Sequence, residues 1–91
     1  MDNLTRKIAA ILFSHDPMII NFGENVGEYN LEAQTIVGLL KVDSSQKDIV
    51  KILDVVMSKW FGKNWAKINS KTTKKEKLAR LSADIYKANL Q

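Results

Sequence analysis

His15 is the one histidine in the chain, and it stands beside Asp16. A histidine with a carboxylate partner is the pairing used for general-base catalysis. The chain offers no cysteine, no second histidine and no recognisable serine motif to complete a nucleophilic constellation. Adjacent residues at a helix end also rarely point at each other. His15 therefore reads as a histidine at a helix C-terminus, where the negative end of the helix dipole favours a cation. Glu24, Glu28 and Glu32, with Asp16 nearby in sequence, are the next acids to weigh. Clustered carboxylates hold Ca²⁺ or Mg²⁺. The D-x-D-x-D-G calcium loop is absent, and the ligands are too few for a closed site. Glu32 is better placed as an acid in the first turn of a helix, and Glu28 with Tyr29 as residues that pin a loop. Gly23 and Gly27 frame G-E-N-V-G, but no Gly-Lys-Ser/Thr follows and no strand precedes. Both glycines read as turn geometry. No catalytic, metal or cofactor residue is assigned, no cofactor is expected, and the chain reads as a non-enzyme.

The other chemistry lies in KWFGKNWAKINSKTTKK, residues 59–75, with six lysines, three aromatics and no acid. Basic residues neutralise phosphates and aromatics stack on unpaired bases, so interleaving them is a nucleic-acid signal. Trp60 falls on an apolar helical stripe and reads as core. Trp65 reads as the aromatic free to act as a surface platform, or as a cap on the bundle end. Lys59, Lys63, Lys67, Lys71, Lys74, Lys75, Lys77 and Arg80 are the polyanion-binding candidates. One arginine among eight cations argues for charge attraction without base reading. A solvated lysine face is the simpler alternative.

These residues must be positioned by a small body. Ninety-one residues make one domain, 1–91, with room for a modest core. A hydrophobic fraction of 45% is that of a globular chain. The absence of cysteine removes disulfides and thiolate sites and fits a reducing compartment. The start, MDNLTRKIAAILF, is too short and too polar for a signal peptide or membrane span. A cytoplasmic protein is expected. The formal net charge of +4 conceals a dipolar chain. Residues 1–58 carry five basic and eight acidic side chains, and residues 59–91 carry nine and two. Such asymmetry bears on partners, not on fold.

Four helical patterns appear and no sustained period-two alternation. Leu4, Ile8, Ile11 and Leu12 share one face of a first helix, Asn3 to Phe13, capped by Asp2 or Asn3 and ended by Pro17. MIINFGENVGEYN is an irregular loop whose Met18, Ile19, Ile20 and Phe22 are expected to plug the bundle end. Asn30 is the expected N-cap of a second helix, with Ala33, Ile36, Val37 and Leu40 as its stripe and an end near Val42. Ser45 and Asp48 form a capping-box pair before a third helix with Ile49, Ile52, Leu53, Val56 and Trp60 in register, widened by Val50 and Val55. Gly62 closes it. Thr73 with Glu76 is the expected capping box of a fourth helix carrying Leu78, Leu81, Ile85 and Ala88. Helices of roughly ten to seventeen residues with short connections predict an all-α, antiparallel four-helix bundle with an irregular loop between helices 1 and 2.

The segment H-D-P-M…N-F-G…G-E-Y-N-L-E-A-Q-T-I-V-G-L-L, residues 15–40, resembles a pattern in a family of small uncharacterised bacterial proteins. In that family a first helix ends at Asp-Pro, a loop leads to Glu-Tyr, and a second helix carries an acid and an isoleucine at similar offsets. Trp-Phe-Gly, residues 60–62, is similar to the close of its long amphipathic helix. The resemblance spans residues 4–62 and implies a compact all-α bundle with no assigned activity. Small helical families of this kind sometimes act as immunity proteins beside toxins, an analogy of fold and size. The expected function is a bacterial protein–protein interaction module, with Glu24, Glu28, Tyr29 and Trp65 as its protein-binding candidates. The alternative is sequence-nonspecific polyanion binding through residues 59–80. The partner is another protein, or nucleic acid in the alternative, with no membrane and with a monomer or homodimer.

Overall fold

Asp2 starts the first helix by accepting the backbone N–H of Thr5 at 2.7 Å, which satisfies one of the orphan donors of a helix N-terminus. Helix α1 then runs Asn3–His15. In the computed structural model the described residues are 2–15, 29–63, 65 and 71–90, with side chains of the last group from residue 74. The plug expected at Met18–Phe22, the turn glycines Gly23 and Gly27, and the candidates Glu24, Glu28 and Lys67 lie outside the described residues.

Helix α2 spans Asn30–Leu39, α3 Gln46–Phe61 and α4 Lys71–Leu90. The stripes expected from helical spacing are largely the buried ones. Ile8 and Leu12 of α1, Ala33 and Ile36 of α2, and Ile49, Leu53 and Val56 of α3 meet Leu78, Leu81 and Ile85 of α4 in one core. Helix α1 packs on α2 and α4, and α3 packs on the same two, so each helix has two neighbours in a four-cornered ring. Gln46 at the start of α3 reaches Ser82 and the carbonyl of Ala79, whereas Asp54 farther along α3 reaches Lys74. As α3 advances α4 recedes, which makes the pair antiparallel. The body measures 32 × 30 × 19 Å, a flat square rather than a long cylinder.

The ends of the helices test the capping arguments one by one. Ser45 and Asp48 form the reciprocal capping box, at 3.1 and 2.9 Å. Gly62 closes α3 with φ +49°, a value side-chain-bearing residues rarely adopt, while its N–H bonds the Ser58 carbonyl at 2.8 Å. Asn30 is not a cap: it is the first helical residue, and Tyr29 precedes it without a side-chain cap bond. Helix α2 also ends earlier than Val42, because Leu40 turns to extended geometry. Thr73 is not a cap either, since α4 is helical from Lys71 and runs for 20 residues, beyond the expected length.

Candidate functional site

The two tryptophans exchange the places that spacing assigns them. Trp65 is 1% exposed and belongs to the core, so it cannot serve as a surface platform or a protein-binding side chain. Burial of an indole requires a partner for its N–H. Asp54 of α3 supplies it, with Nε1 to Oδ1 at 2.9 Å. Lys74 of α4 binds the same oxygen at 3.0 Å and lies over the indole, 5.1 Å from a ring centroid. The indole bond first, and Lys74 after it, hold the Asp54 carboxyl below its ordinary range against the opposing effect of burial. Tyr29 is likewise fully buried, which removes it from the protein-binding candidates. Of that expected set, Tyr29 and Trp65 are core, and Glu24 and Glu28 lie outside the described residues.

The described basic candidates do not form one face. Lys74 is engaged by Asp54 and Trp65. Lys74 and Lys75 border a groove of about 320 Å³ with Val50 of α3 and Leu78 and Ala79 of α4. Lys77 and Arg80 turn to the other flank of α4 and line a cleft of about 130 Å³ with His15 of α1. Lys59 closes α3 and is exposed, as is Lys63 beyond it. Lys71 belongs to the first turn of α4. Helix α4 therefore divides its own cations between two flanks.

His15 is the last residue of α1, as its spacing implies, but its described partner is remote in sequence. Its Nε2 is 2.7 Å from Oδ2 of Asp84 on α4. Both side chains are substantially exposed, and the pair ties the end of α1 to α4. Among the described residues no three histidine, cysteine or acidic side chains gather to hold a metal. No described helix is long and apolar enough to cross a membrane.

Glu32 sits in the first turn of α2, as expected, yet it is 6% exposed and its Oε2 has no hydrogen-bond partner among the described residues. Burial pushes its carboxyl above the ordinary range. Glu32 is also the one charged residue of α2. The outward side of this helix consists of Leu31, Gln34, Thr35, Gly38 and Leu39, at helical spacing. Leu31 is 56% exposed and Leu39 47%. Thr35 accepts the Trp60 Nε1–H at 3.3 Å and donates to the Leu31 carbonyl at 2.9 Å. This bond lays Trp60, 41% exposed, beside α2, which corrects its expected place in the core. Val55, expected to widen the buried stripe of α3, is 60% exposed instead. It stands one turn from Ile52, which lines a shallow cleft with Leu39.

An uncharged, partly apolar face thus runs along α2, with Trp60 of α3 beside it and Val55 between the exposed Lys51 and Lys59 at its edge. Residue spacing did not single it out, because a stripe search finds the inward face and stops there. The signal was the near absence of charge in NLEAQTIVGLL, residues 30–40. Comparison with known proteins gives no match to a family model, to a curated protein or to a solved structure.

Proposed function

We propose that this chain is a non-enzymatic protein-interaction module that docks its partner through the outer face of α2 and the adjoining Trp60. One observation carries the reading: the exposed side of α2 bears no charged residue, in a chain of which 26% is charged. A helix covered on one face only places charge on the other. A helix that lacks it has the composition of one covered on both. The surroundings agree with interface anatomy, in which an uncharged centre with an aromatic anchor is ringed by charge. Here Lys41, Asp43, Asp48 and Lys51 border Leu39, and Lys59 is next to Trp60. A bacterial cytoplasmic location belongs to the same proposal, supported by the cysteine-free composition and by the resemblance of residues 15–40. An immunity protein to a toxin is one specific form of it, supported by that resemblance and by analogy of fold.

The test is affinity capture of the tagged chain from its host at low and high salt. A stoichiometric protein complex should survive high salt and weaken at least about tenfold with Leu39→Glu or Trp60→Ala, the scale of an interface hot spot. Capture unaffected by both substitutions refutes this face. The second reading, polyanion binding, is favoured by the excess of basic residues after position 58 and by the convergence of Lys77, Arg80 and His15 on one cleft. It predicts nucleic acid that elutes with salt, with a slope set by the phosphates contacted.

A further inference from the structure

We infer that the partner of this face is a second copy of the chain, docked by antiparallel packing of α2 on α2 about a two-fold axis near Thr35. The inference rests on the reading of the face as a protein-docking surface and names its occupant.

A two-fold contact must be self-complementary: if residue i meets residue j of the other copy, then j meets i. Leu31 and Leu39 lie one turn either side of Thr35. Antiparallel pairing about Thr35 sets each Leu31 on the other copy's Leu39, twice over. Gly38 adds room at this place. A Cβ built there meets nothing within 4 Å in the free chain, so the helix presents bare backbone to an approaching helix. Helix axes can draw close where the contact residues are small.

Charge selects both the partner and the direction. The centre of the face is uncharged, so two copies of a +4 chain meet there without like charges in contact. The two ends differ. Beside Leu39 lie two acids, Asp43 and Asp48, with Lys41 and Lys51. Helix α3 passes Leu39 at Ile52 and Thr35 at Trp60, so Lys63, which follows Trp60, lies towards the Leu31 end. Antiparallel pairing brings Lys63 towards Asp43 and Asp48 at the mixed-charge end of the other copy. Parallel pairing would set lysine against lysine.

Size sets the strength. Leu31, Leu39, Val55 and Trp60 are each about half exposed. Two copies together offer on the order of 700 Å² of apolar surface, and their polar neighbours bring the contact to the ~1,000 Å² lower limit of specific interfaces. The pair therefore belongs to the weak class, with a dissociation constant in the micromolar range (roughly 10–100 µM).

Sedimentation velocity of the full chain, from about 5 to 500 µM, reads the association directly. Wild type should pass from monomer to dimer across this range. Leu31→Glu and Leu39→Lys, both at half-exposed positions, should each raise the midpoint at least about tenfold while circular dichroism stays unchanged. An equimolar mixture should restore association to within about threefold of wild type, because the antiparallel register opposes the new acid to the new base and keeps one leucine pair. A wild type that stays monomeric throughout overturns the inference, with no variant needed. So do single variants that associate like wild type, and so does a mixture that fails to recover. The broader reading is separable: if wild type is monomeric but Leu39→Lys abolishes capture of a different protein, the docking face stands and its occupant is wrong. If that substitution changes neither readout, both fall.

Discussion

Replacing Asp54 should separate two interactions that share one oxygen. Its Oδ1 accepts the Trp65 indole N–H at 2.9 Å and lies 3.0 Å from Lys74 Nζ. Trp65 is buried, whereas the Asp54 side chain is 47% exposed and Lys74 28%. Asp54→Asn keeps an oxygen for the indole and loses only the ion pair, which at this exposure contributes less than about 1 kcal/mol. Asp54→Ala leaves a buried N–H without an acceptor, a cost of about 1–3 kcal/mol. The expected losses are about 2 kcal/mol for alanine and about 0.5 kcal/mol for asparagine. Against the roughly 5–14 kcal/mol that a domain of this size holds, the alanine loss is large, equivalent to about 8–16 °C in Tm. Urea and thermal unfolding followed by circular dichroism measure both. A Trp65→Phe background supplies the control, since without the indole N–H the alanine cost should fall below about 1 kcal/mol. The pH dependence has a definite sign. The Asp54 carboxyl is lowered from its ordinary 3.8, so its contribution is present above that value and is lost as pH falls through the folded-state value. Asparagine mimics the protonated form, so wild type and Asp54→Asn should converge in the acid range. Equal losses for alanine and asparagine, or an alanine loss that persists in the phenylalanine background, would refute the indole bond as the reason Trp65 is buried.

Two further outcomes concern α2. Glu32→Gln should stabilise the chain at neutral pH by about 1 kcal/mol, because it removes a buried carboxylate whose Oε2 has no partner among the described residues. Burial raises this carboxyl above 4.5, so the native state is favoured below that value and penalised as pH rises through the folded-state value. The gain from glutamine should therefore shrink on acidification, and a gain constant with pH in urea titrations would contradict it. Gly38→Ala should stabilise by about 0.5–1 kcal/mol, measured below the concentration of self-association, since the position is helical and open around the new methyl. A loss in thermal unfolding would mean that the space is not free.

The fold was legible because periodicity and capping are local physics. The Leu78, Leu81, Ile85 and Ala88 stripe and the Ser45–Asp48 box are both present as their spacing implies. The tryptophans were not legible, for a physical reason. Trp60 keeps the stripe's phase, but it stands at the last turn of α3, where its indole lies beside Thr35 of α2. Trp65 has no helical phase to read. Its burial depends on Asp54 being eleven residues earlier in sequence yet within hydrogen-bond reach, and spacing does not encode that contact. His15 repeats the lesson: adjacency suggested Asp16, and the described partner is Asp84, 69 positions away.

The candidate site inverts the ordinary way of finding one. The lysine-rich run attracts attention because charge is conspicuous, yet a helix spreads such a run around its circumference. Lys74 and Lys75 border α3 while Lys77 and Arg80 turn to α1. Exposed charge costs little to keep, since water solvates it wherever it points, so its presence selects no face. Exposed leucine on a helix face that bears no charge carries more information. Leu31 and Leu39 each leave about half of their surface exposed on the isolated bundle, where an uncharged apolar patch adds nothing to solubility. On this chain the informative surface is the one from which charge is missing.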